Sequence, residues 1–435
     1  MFQLNYNFLA IISCTLLLVS CSNESDTITS SNVNNTPNIL FIIADDLGKD
    51  AINGYQEGTI KPTTPNIDAI RNNGLLFSNF WVNPTCTPTR SAIITGKYGY
   101  RTGVKSVSDV LNFSETVIQK YINENTGNQY ATAVIGKWHL AGNNATFNPE
   151  SFGIDHYAGL IRGSVDSYYN WQLTEDGTTS LQTTYITEGL TTMATDWVSS
   201  QNKPWFLWLA YNAPHTPFHV PPGNMHSQGS LPDYAMGMDA TPYYMASIEA
   251  MDFQIGRFLE SLSTDERENT IIIFIGDNGT PNQVAQVPYS STKVKNTLYQ
   301  GGINTPMFIS GKGVSRRGTE NQLLTGTDLF ATLAEIAGLS LNEYNDSKSF
   351  KSLLTQSLSN PVRNYQYSEL NDNGIDLWTI SNGNYKLHVN SLGNQEYYYL
   401  SSDPYEANNL LNTTLSPLEQ NVKSDLENEL ARIRQ

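Results

Sequence analysis

Four apolar runs, each followed at once by acidic, amide or cationic residues, constrain the fold of this 435-residue chain most strongly. Continuous apolar runs of this length are typical of strands buried on both faces, as in a parallel sheet. The runs are Asn38–Ala44 before Asp45 and Asp46, 130–136 before Lys137 and His139, 205–211 before Asn212 and His215, and Thr270–Gly276 before Asp277 and Asn278. The pattern predicts a parallel sheet whose strands end in polar side chains.

Helix signals separate these runs. Thr64 and Pro65 begin one helix as a cap and a first-turn proline, and Gly74 follows its end. Other helical stretches are predicted at about 181–200, 241–262 and 327–337. The alternation predicts an α/β fold with a large doubly wound, mostly parallel sheet flanked by helices. Because ligands in such folds bind outside the carboxyl ends of the strands, we expect the four polar strand ends to meet in one pocket.

The C-terminal part of the chain has a different pattern. Short aromatic runs at 376–380, 384–389 and 395–400 alternate with Asn-Gly or Gly-Asn turns, which predicts an antiparallel meander. Ser416 and Pro417 then begin a final helix. Its predicted apolar face consists of Leu418, Val422, Leu426, Leu430 and Ile433. We therefore predict a catalytic α/β domain at 37–345 and a C-terminal α+β subdomain, a smaller antiparallel sheet plus a helix, at 346–435.

The N-terminal residues are typical of a secretion signal. The apolar run from Phe8 to Val19 is too short to span a bilayer, and it ends in Leu18-Val19-Ser20-Cys21, which is similar to a bacterial lipobox. We expect a lipoprotein signal peptide at 1–20, lipidation of Cys21 and a flexible tether at 21–36. No Lys or Arg precedes the apolar run, so an ordinary cleavable signal is the alternative. The predicted location is the bacterial cell envelope, anchored to the outer membrane and facing the periplasm or the cell surface.

Charge and cysteine content exclude some classes of protein. The formal net charge of -16 and a pI of about 4.7 argue against a nucleic-acid partner, and membrane contact is expected only through the lipid anchor. The cysteines are Cys14, Cys21 and Cys86. Since Cys14 leaves with the signal and Cys21 takes the lipid, Cys86 remains alone, and the mature chain has no intrachain disulfide.

Oxygen donors dominate the strand ends. Asp45 and Asp46 follow one run, and Asp277 and Asn278 follow another. Carboxylate and amide oxygens suit a hard divalent cation such as calcium or magnesium, and no His/Cys cluster is present to prefer zinc.

The segment Cys86-Thr87-Pro88-Thr89-Arg90, followed by Thr95-Gly96, resembles the signature of the type I (formylglycine-dependent) sulfatases of the alkaline phosphatase-like superfamily. Other segments match that family in order. They are the Gly-Lys-Trp-His-Leu of 136–140, the Ala-Pro-His of 213–215, the Lys-x-Thr-x-Tyr of 295–299 and a C-terminal ending at Glu406. Departures are mild and include Ala141 and Gln300, where the family has Gly and Glu. The resemblance spans about 37–410.

The resemblance implies the chemistry of the site. A maturase would oxidise Cys86 to formylglycine, and one Ca²⁺ per chain would be held by Asp45, Asp46, Asp277, Asn278 and the modified Cys86. The implied reaction is hydrolysis of a sulfate monoester through a sulfo-enzyme intermediate. In the implied roles Cys86 is the nucleophile, Arg90 orients it, His215 with Lys295 protonates the leaving alcohol, His139 assists release, and Lys137 and Lys295 bind sulfate.

The expected substrate is a sulfated polysaccharide or oligosaccharide. Two alternatives remain open: a phosphoester or phosphonate monoester hydrolase of the same superfamily, and a non-catalytic glycan-binding lipoprotein with unmatured Cys86. Loop residues that are candidates for contacts to the leaving group are Arg162, Asp166, Tyr168, Tyr169, Trp171 and His219.

Overall fold

The structure is a computed structural model that describes residues 1–3, 36–142, 144 and 147–435. The run from Phe8 to Val19, Cys21 and the tether up to residue 35 lie outside the described residues, so the signal, the lipid anchor and the tether stay predictions. Within the described part of the chain, every helix is too short or too polar to cross a membrane.

Strands form a large sheet, two small strand pairs and a C-terminal sheet. They are β1 (Asn38–Ala44), β2 (Gly74–Phe77), β3 (Phe80–Trp81), β4 (Ala131–Lys137), β5 (His156–Leu160), β6 (Trp171–Glu175), β7 (Thr178–Gln182), β8 (Trp205–Ala210), β9 (Thr270–Gly276), β10 (Met307–Gly311), β11 (Gly318–Glu320), β12 (Leu324–Thr325), β13 (Glu343–Tyr344), β14 (Ser347–Lys348), β15 (Gln366–Asp372), β16 (Ile375–Ser381), β17 (Tyr385–Asn390) and β18 (Gln395–Tyr399).

The helices are α1 (Pro65–Asn72), α2 (Cys86–Thr95), α3 (Gly99–Thr102), α4 (Ile118–Thr126), α5 (Ile186–Ser199), α6 (Thr241–Ser261), α7 (Thr264–Glu268), α8 (Gln300–Ile303), α9 (Asp328–Ile336) and α10 (Pro417–Ile433). Short 3₁₀ turns lie at Lys49–Ala51, Pro149–Phe152, Lys351–Leu354 and Leu410–Asn412.

The four apolar runs are the four central strands of the large sheet. Its order is β11-β2-β10-β9-β1-β8-β4-β5-β6-β7, and β9, β1, β8, β4 and β5 are mutually parallel. Strands β10 and β6 pair antiparallel with the two edges of this parallel centre, and β7 pairs antiparallel with β6. The prediction of a mostly parallel sheet is confirmed. The predicted helix at 181–200 is wrong at its start, because Leu181 pairs with β6 as part of β7 and α5 begins only at Ile186.

Helices cover both faces of the large sheet. Successive residues of β1 point to opposite faces, so Phe41 belongs to one hydrophobic core and Leu40 and Ile42 belong to the other. Helices α2, α4 and α9 pack in the first core, and α1, α5 and α6 pack in the second. This two-sided burial is the physical reason for the unbroken apolar runs, and it confirms the doubly wound architecture.

The C-terminal sheet is a four-stranded antiparallel meander in the order β15-β16-β17-β18. Helix α10 packs on it through Leu426 and Leu430, and Ser416 begins the helix with a capping box to Glu419. The meander and its helix are confirmed, but the predicted apolar face is wrong at Leu418, which lies in the first turn of α10 and is exposed. Strand β15 has no apolar periodicity, because Ser368 and Glu369 are buried and polar, and the sequence did not predict it. The domain boundary at 345/346 stays a prediction.

Candidate active site

Helix α2 places Cys86 at the carboxyl end of the large sheet. Cys86 is the first residue of the helix, and Thr85 before it is extended. The Thr89 hydroxyl donates to the Asn83 carbonyl at 2.9 Å and accepts from the Asn83 amide at 3.0 Å, which fixes the turn into the helix. Since helix N-termini attract anions, this position suits a nucleophile that attacks an anionic group.

The ends of β1 and β9 interlock next to Cys86. The Asp46 amide donates to Asp277 Oδ1 at 3.1 Å, and Asn278 Nδ2 donates to Asp46 Oδ1 at 2.7 Å. Asp46 has a left-handed backbone with φ 68°, and so does His139 with φ 56°. Left-handed backbone at non-glycine residues is strained and is concentrated at functional sites, where the surrounding structure holds it.

Three cations lie against the carboxylates of the strand ends. Arg90 donates from Nε and Nη2 to Asp277 Oδ2 at 3.0 and 2.7 Å, and from Nη1 to the Lys137 carbonyl at 2.7 Å. Lys137 Nζ lies 2.5 Å from Asp45 Oδ2, and both side chains are fully buried. Lys295 Nζ lies 2.5 Å from Asp46 Oδ2. These side chains, buried together, bring three negative and three positive charges to one place.

The buried carboxylates respond in opposite directions to this crowding. Burial and the negative charge of Asp45 raise the pKa of Asp277 to about 6, although Arg90 opposes the shift. Burial acts in the same direction on Asp46, but Lys295 and His215 overcome it and hold the pKa of Asp46 below its usual range. The raised pKa of Asp277 indicates that additional positive charge in the cluster is favourable.

The cluster fits a divalent cation. Asp45 Oδ1 and Asn278 Oδ1 are buried and have no hydrogen-bond partner, which is a costly state for polar oxygens unless an ion compensates it. Ligand atoms of Asp45, Asp46 and His215 lie within 4.8 Å of one another. The two oxygens of Asp277 instead accept hydrogen bonds from Arg90 and from the Asp46 amide. The oxygen donors predicted from the sequence are thus brought together, and His215 lies with them, as the predicted convergence of the strand ends requires. The sequence analysis did not predict that His215 lies within ligand distance of the carboxylates.

The two histidines lie on different sides of the cluster. His139 Nδ1 is 3.1 Å from Cys86 Sγ, and burial followed by the charge of Lys137 lowers the pKa of His139 well below its usual value, so this ring is neutral. His215 Nε2 is 3.6 Å from Asp46 Oδ2, and its side chain is 15% exposed. Lys295 is 17% exposed, whereas Arg90 is 1% exposed. His215 and Lys295 therefore face the solvent side, and Arg90 and Lys137 form the base.

Gly163 is a contributor that sequence patterns missed. A Cβ atom at this position would lie 2.0 Å from the His139 ring, so only glycine leaves room for that ring. The His139 amide also donates to the Ile161 carbonyl at 3.2 Å, just after β5. No motif marks Gly163, because its role depends on a neighbour in space.

The loop candidates divide into buried and exposed residues. Tyr168 Oη lies 2.8 Å from the Asn212 carbonyl and 2.7 Å from the His215 carbonyl, so it supports the segment after β8. His219 stacks on Tyr168, and Trp171 is buried in β6. The residues whose side chains reach solvent are Arg162, Asp166 and Tyr169. Tyr169 already donates from its hydroxyl to the Val220 carbonyl at 2.8 Å and packs on Tyr185, so Arg162 and Asp166 are the more accessible candidates for contacts to a leaving group.

The thiol of Cys86 is a weak nucleophile in this environment. Burial raises its pKa, although Lys137 opposes the shift, so the unmodified side chain stays protonated near neutral pH. The thiolate is the reactive form of cysteine. Chemistry at this position therefore needs something other than the simple thiol.

Comparisons with known proteins agree with this geometry. The Sulfatase family model matches residues 37–339, and the model for the C-terminal part of N-sulphoglucosamine sulphohydrolase matches 293–435. The chain is 28% identical over 365 residues to an uncharacterised sulfatase of Escherichia coli K12 and 27% identical over 347 residues to human N-acetylgalactosamine-6-sulfatase. Each match covers 70% of this chain, and the matches cover 63% and 62% of the two relatives, so the chain spans less than two thirds of their length.

A solved structure has the same fold. It is the crystal structure of a protein in complex with a neocarrahexaose, with a TM-score of 0.79 and 24% identity, and the match covers 92% of this chain and 93% of that one. The family model matches most of the chain, and the structure places the residues of the sulfatase signature together at one end of the sheet. The chain belongs to the sulfatase family.

Proposed function

We propose that the protein is a sulfuric ester hydrolase that removes sulfate from sulfated polysaccharides or oligosaccharides. The observation that carries this proposal is the cluster at the strand ends, where Cys86 at a helix N-terminus lies beside His139 and near a balanced set of carboxylates and cations. A sulfate ester develops negative charge on its oxygens as it breaks, and such a cluster stabilises that charge. The carbohydrate substrates named for related proteins support the sugar as leaving group.

We further propose that Asp45, Asp46, Asp277 and Asn278 hold one Ca²⁺ and that Cys86 is matured to formylglycine by a maturase. The two buried oxygens without hydrogen-bond partners support the cation. A cation held there would lower the pKa of a hydroxyl group at position 86, supply a nucleophile near neutral pH, and give the cluster an excess of positive charge that favours an anionic ester.

The side chains of the cluster then have separate tasks. Arg90 fixes the Asp277 carboxylate and the end of β4 with bonds from three of its nitrogens. Lys137 at the base and Lys295 at the solvent side bind the oxygens of the sulfate group. His215, on the solvent side with Lys295, gives a proton to the departing alcohol. His139 accepts a proton at the side chain of residue 86, 3.1 Å away.

The state of residue 86 tests this proposal. Protein produced together with a formylglycine-generating maturase should carry an aldehyde at position 86, seen as a mass change in the peptide that contains Cys86, and should hydrolyse aryl and sugar sulfates. Cys86→Ala should remove turnover while the protein remains folded. Active protein with an intact thiol would contradict the proposal. Faster turnover of an aryl phosphate than of the matching aryl sulfate would instead favour the phosphoester hydrolase.

Localisation and domain boundaries are also proposals. We propose a lipoprotein signal at 1–20 with lipid on Cys21, a tether at 21–36, a catalytic domain at 37–345 and a C-terminal subdomain at 346–435. Labelling with a radioactive fatty acid in a bacterial host should mark the wild type and spare Cys21→Ala. A labelled Cys21→Ala variant would refute the anchor.

A further inference from the structure

Lys295 lies in a long irregular segment. Residues 277–299 connect β9 to α8, and the structure describes all of them without a helix or a strand. Ordering such a segment costs about 1–2 kcal/mol per residue in backbone entropy. A lysine that must meet a sulfate group in one geometry therefore needs its backbone to be held by something outside the segment.

Two hydrogen bonds hold the backbone at Lys295 itself. The Lys295 amide donates to the Thr280 carbonyl at 3.2 Å, and the Asn296 amide donates to the Pro84 carbonyl at 2.9 Å. Asn296 has a left-handed backbone with φ 68°. The second bond joins the segment to the residues that lead into Cys86. These bonds are local to the active site and leave both flanks of Lys295 to be fixed.

The C-terminal residues hold both flanks. Before Lys295, the Lys293 ammonium donates to the Glu406 carbonyl. After it, the Lys386 ammonium donates to the Leu298 carbonyl at 2.7 Å, and the Gln300 amide donates to Glu406 Oε2 at 2.6 Å. Glu406 therefore contacts the chain on both sides of the lysine.

Glu406 and Lys386 form a buried ion pair. Lys386 Nζ lies 2.7 Å from Glu406 Oε1, with 0% and 1% of the two side chains exposed, and the ammonium also lies 4.7 Å from the centroid of the Trp81 ring. His388 Nε2 is 3.1 Å from the same carboxylate oxygen. Burial alone would raise the pKa of Glu406, but Lys386 and His388 lower it to about 2, so the carboxylate is charged.

We propose that Glu406, paired with Lys386, is a positioning residue that holds residues 293–300 so that Lys295 meets the sulfate group. The inference rests on the proposed role of Lys295 in sulfate binding. Glu406 touches no reacting atom and acts only through the backbone of the segment. Loss of its carboxylate weakens the bond to the Gln300 amide and leaves Lys386, which holds the Leu298 carbonyl, without its negative partner, so the flank after Lys295 loosens. The bond from Lys293 to the backbone carbonyl of residue 406 remains on the other flank.

A double-mutant cycle on the full chain tests the inference. Glu406→Gln should lower kcat/KM for an aryl sulfate by about 10–100-fold, because a displacement of about 1 Å at a catalytic group has an effect of that size. In a Lys295→Ala background the same substitution should change kcat/KM by less than about twofold, because the group that Glu406 positions is then absent. Hydrogen exchange of the peptide 293–300 should become faster in Glu406→Gln, with β1 and β9 unchanged.

Two further variants distinguish a loss of positioning from a general loss of folding. Glu406→Gln combined with Lys386→Met removes both charges, so no unpaired charge stays buried if the single variant fails to fold. Glu369→Gln is the matched control, since Glu369 is a 1% exposed carboxylate of β15, in the sheet that contains Lys386, and its partners are Tyr100 and Arg434. This control should lower stability and leave kcat/KM per folded molecule near the wild-type value.

The outcomes separate this inference from the proposed function. Equal losses from Glu406→Gln in the wild-type and Lys295→Ala backgrounds, or unchanged hydrogen exchange at 293–300, would overturn the positioning role while the sulfatase activity stands. Full turnover in Lys295→Ala would refute the role of Lys295, and with it the inference, even with faster exchange in Glu406→Gln. Non-additive losses together with faster exchange would support both.

Discussion

Two regions of this protein bury the same kind of charge pair. At the strand ends, Lys137 lies 2.5 Å from Asp45, and His215 lies 3.6 Å from Asp46. In the C-terminal sheet, Lys386 lies 2.7 Å from Glu406, and His388 lies 3.1 Å from the same carboxylate. Each region thus combines a fully buried lysine with a carboxylate and a nearby histidine. By residue type and distance the two regions are hard to tell apart.

The two regions differ in how many of their buried side-chain oxygens have hydrogen-bond partners within the chain. Both side-chain oxygens of Glu406 and its carbonyl oxygen accept hydrogen bonds or ion pairs from the chain itself. At the strand ends, Asp45 Oδ1 and Asn278 Oδ1 are buried without a hydrogen-bond partner, and Arg90 Nη2 lies 4.0 Å from Asp45 Oδ1. A buried ion pair with every atom satisfied can serve structure alone, whereas buried oxygens that the chain leaves unsatisfied point to a ligand. Single buried oxygens without hydrogen-bond partners also occur elsewhere, at Glu369 for example, so the grouping of two of them beside further carboxylates indicates the site, rather than charge pairs.

Removal of the metal should have the largest effect, and that effect should be confined to the strand-end cluster. Chelation of the matured protein should abolish turnover and lower the melting temperature, because the oxygens at the strand ends lose their cation. Added calcium should restore both, and magnesium less well. In Asp45→Asn, calcium should restore less activity, which is measured by titration of the chelated variant. Zinc without calcium in an elemental analysis of active enzyme would contradict the calcium assignment.

The two histidines should differ in how their loss depends on the leaving group. His215→Ala should slow hydrolysis of a sugar sulfate by about 10²–10⁴-fold, the usual size of general acid catalysis, and should slow a nitrophenyl sulfate much less, because nitrophenolate leaves without a proton. His388→Ala is the control from the C-terminal region, and any reduction in rate that it causes should be the same for both substrates. Rates across leaving groups of graded pKa measure this. If His215→Ala slowed every substrate by the same factor, His215 would not be the proton donor.

Replacement of Lys137 should mainly lower activity, whereas replacement of Lys386 should mainly lower stability. Lys137→Met should lower kcat/KM by about 10²–10³-fold, as expected when one group that stabilises developing negative charge is removed. Lys386→Met should lower the free energy of unfolding by about 3–5 kcal/mol, because Glu406 then stays buried and unpaired. Denaturant titration and steady-state kinetics on both variants in the presence of calcium test the contrast, because the proposed cation would compensate the buried Asp45 carboxylate that Lys137→Met leaves unpaired. Equal destabilisation by the two substitutions would break the distinction between the regions.

A smaller effect is expected from the pH dependence of stability. The pKa of Glu406 is about 2 in the folded protein against a usual 4.5, so the charged carboxylate stabilises the fold above pH 4.5 by about 3 kcal/mol. That contribution should be lost as the pH falls from 4.5 through about 2. The free energy difference between wild type and Glu406→Gln should therefore be constant from pH 5 to 8 and shrink below pH 4.5. Urea titrations at pH 7, 4 and 3 measure it, with Glu369→Gln as the control.

Much of the fold was predictable because its strongest signal is local. A strand covered on both faces must be apolar at every position, so β1 and β9 were predicted with their observed ends. Parallel neighbours bring their carboxyl ends to one edge, so the side chains after those strands had to converge. Strand β15 escaped because it buries polar residues that bond distant carbonyls: Gln366 Nε2 donates to Leu324, and Ser368 Oγ donates to Val82.

The sequence alone determined which residue types stand at the strand ends and that the central sheet is parallel, because burial on two faces is recorded in the types of neighbouring residues. The tertiary structure alone decided that His139 needs a glycine at 163 and that Glu406 meets Lys386 beside the segment of Lys295. Those contacts join residues far apart in the chain, and no period or spacing records which distant groups a folded backbone brings within hydrogen-bond distance.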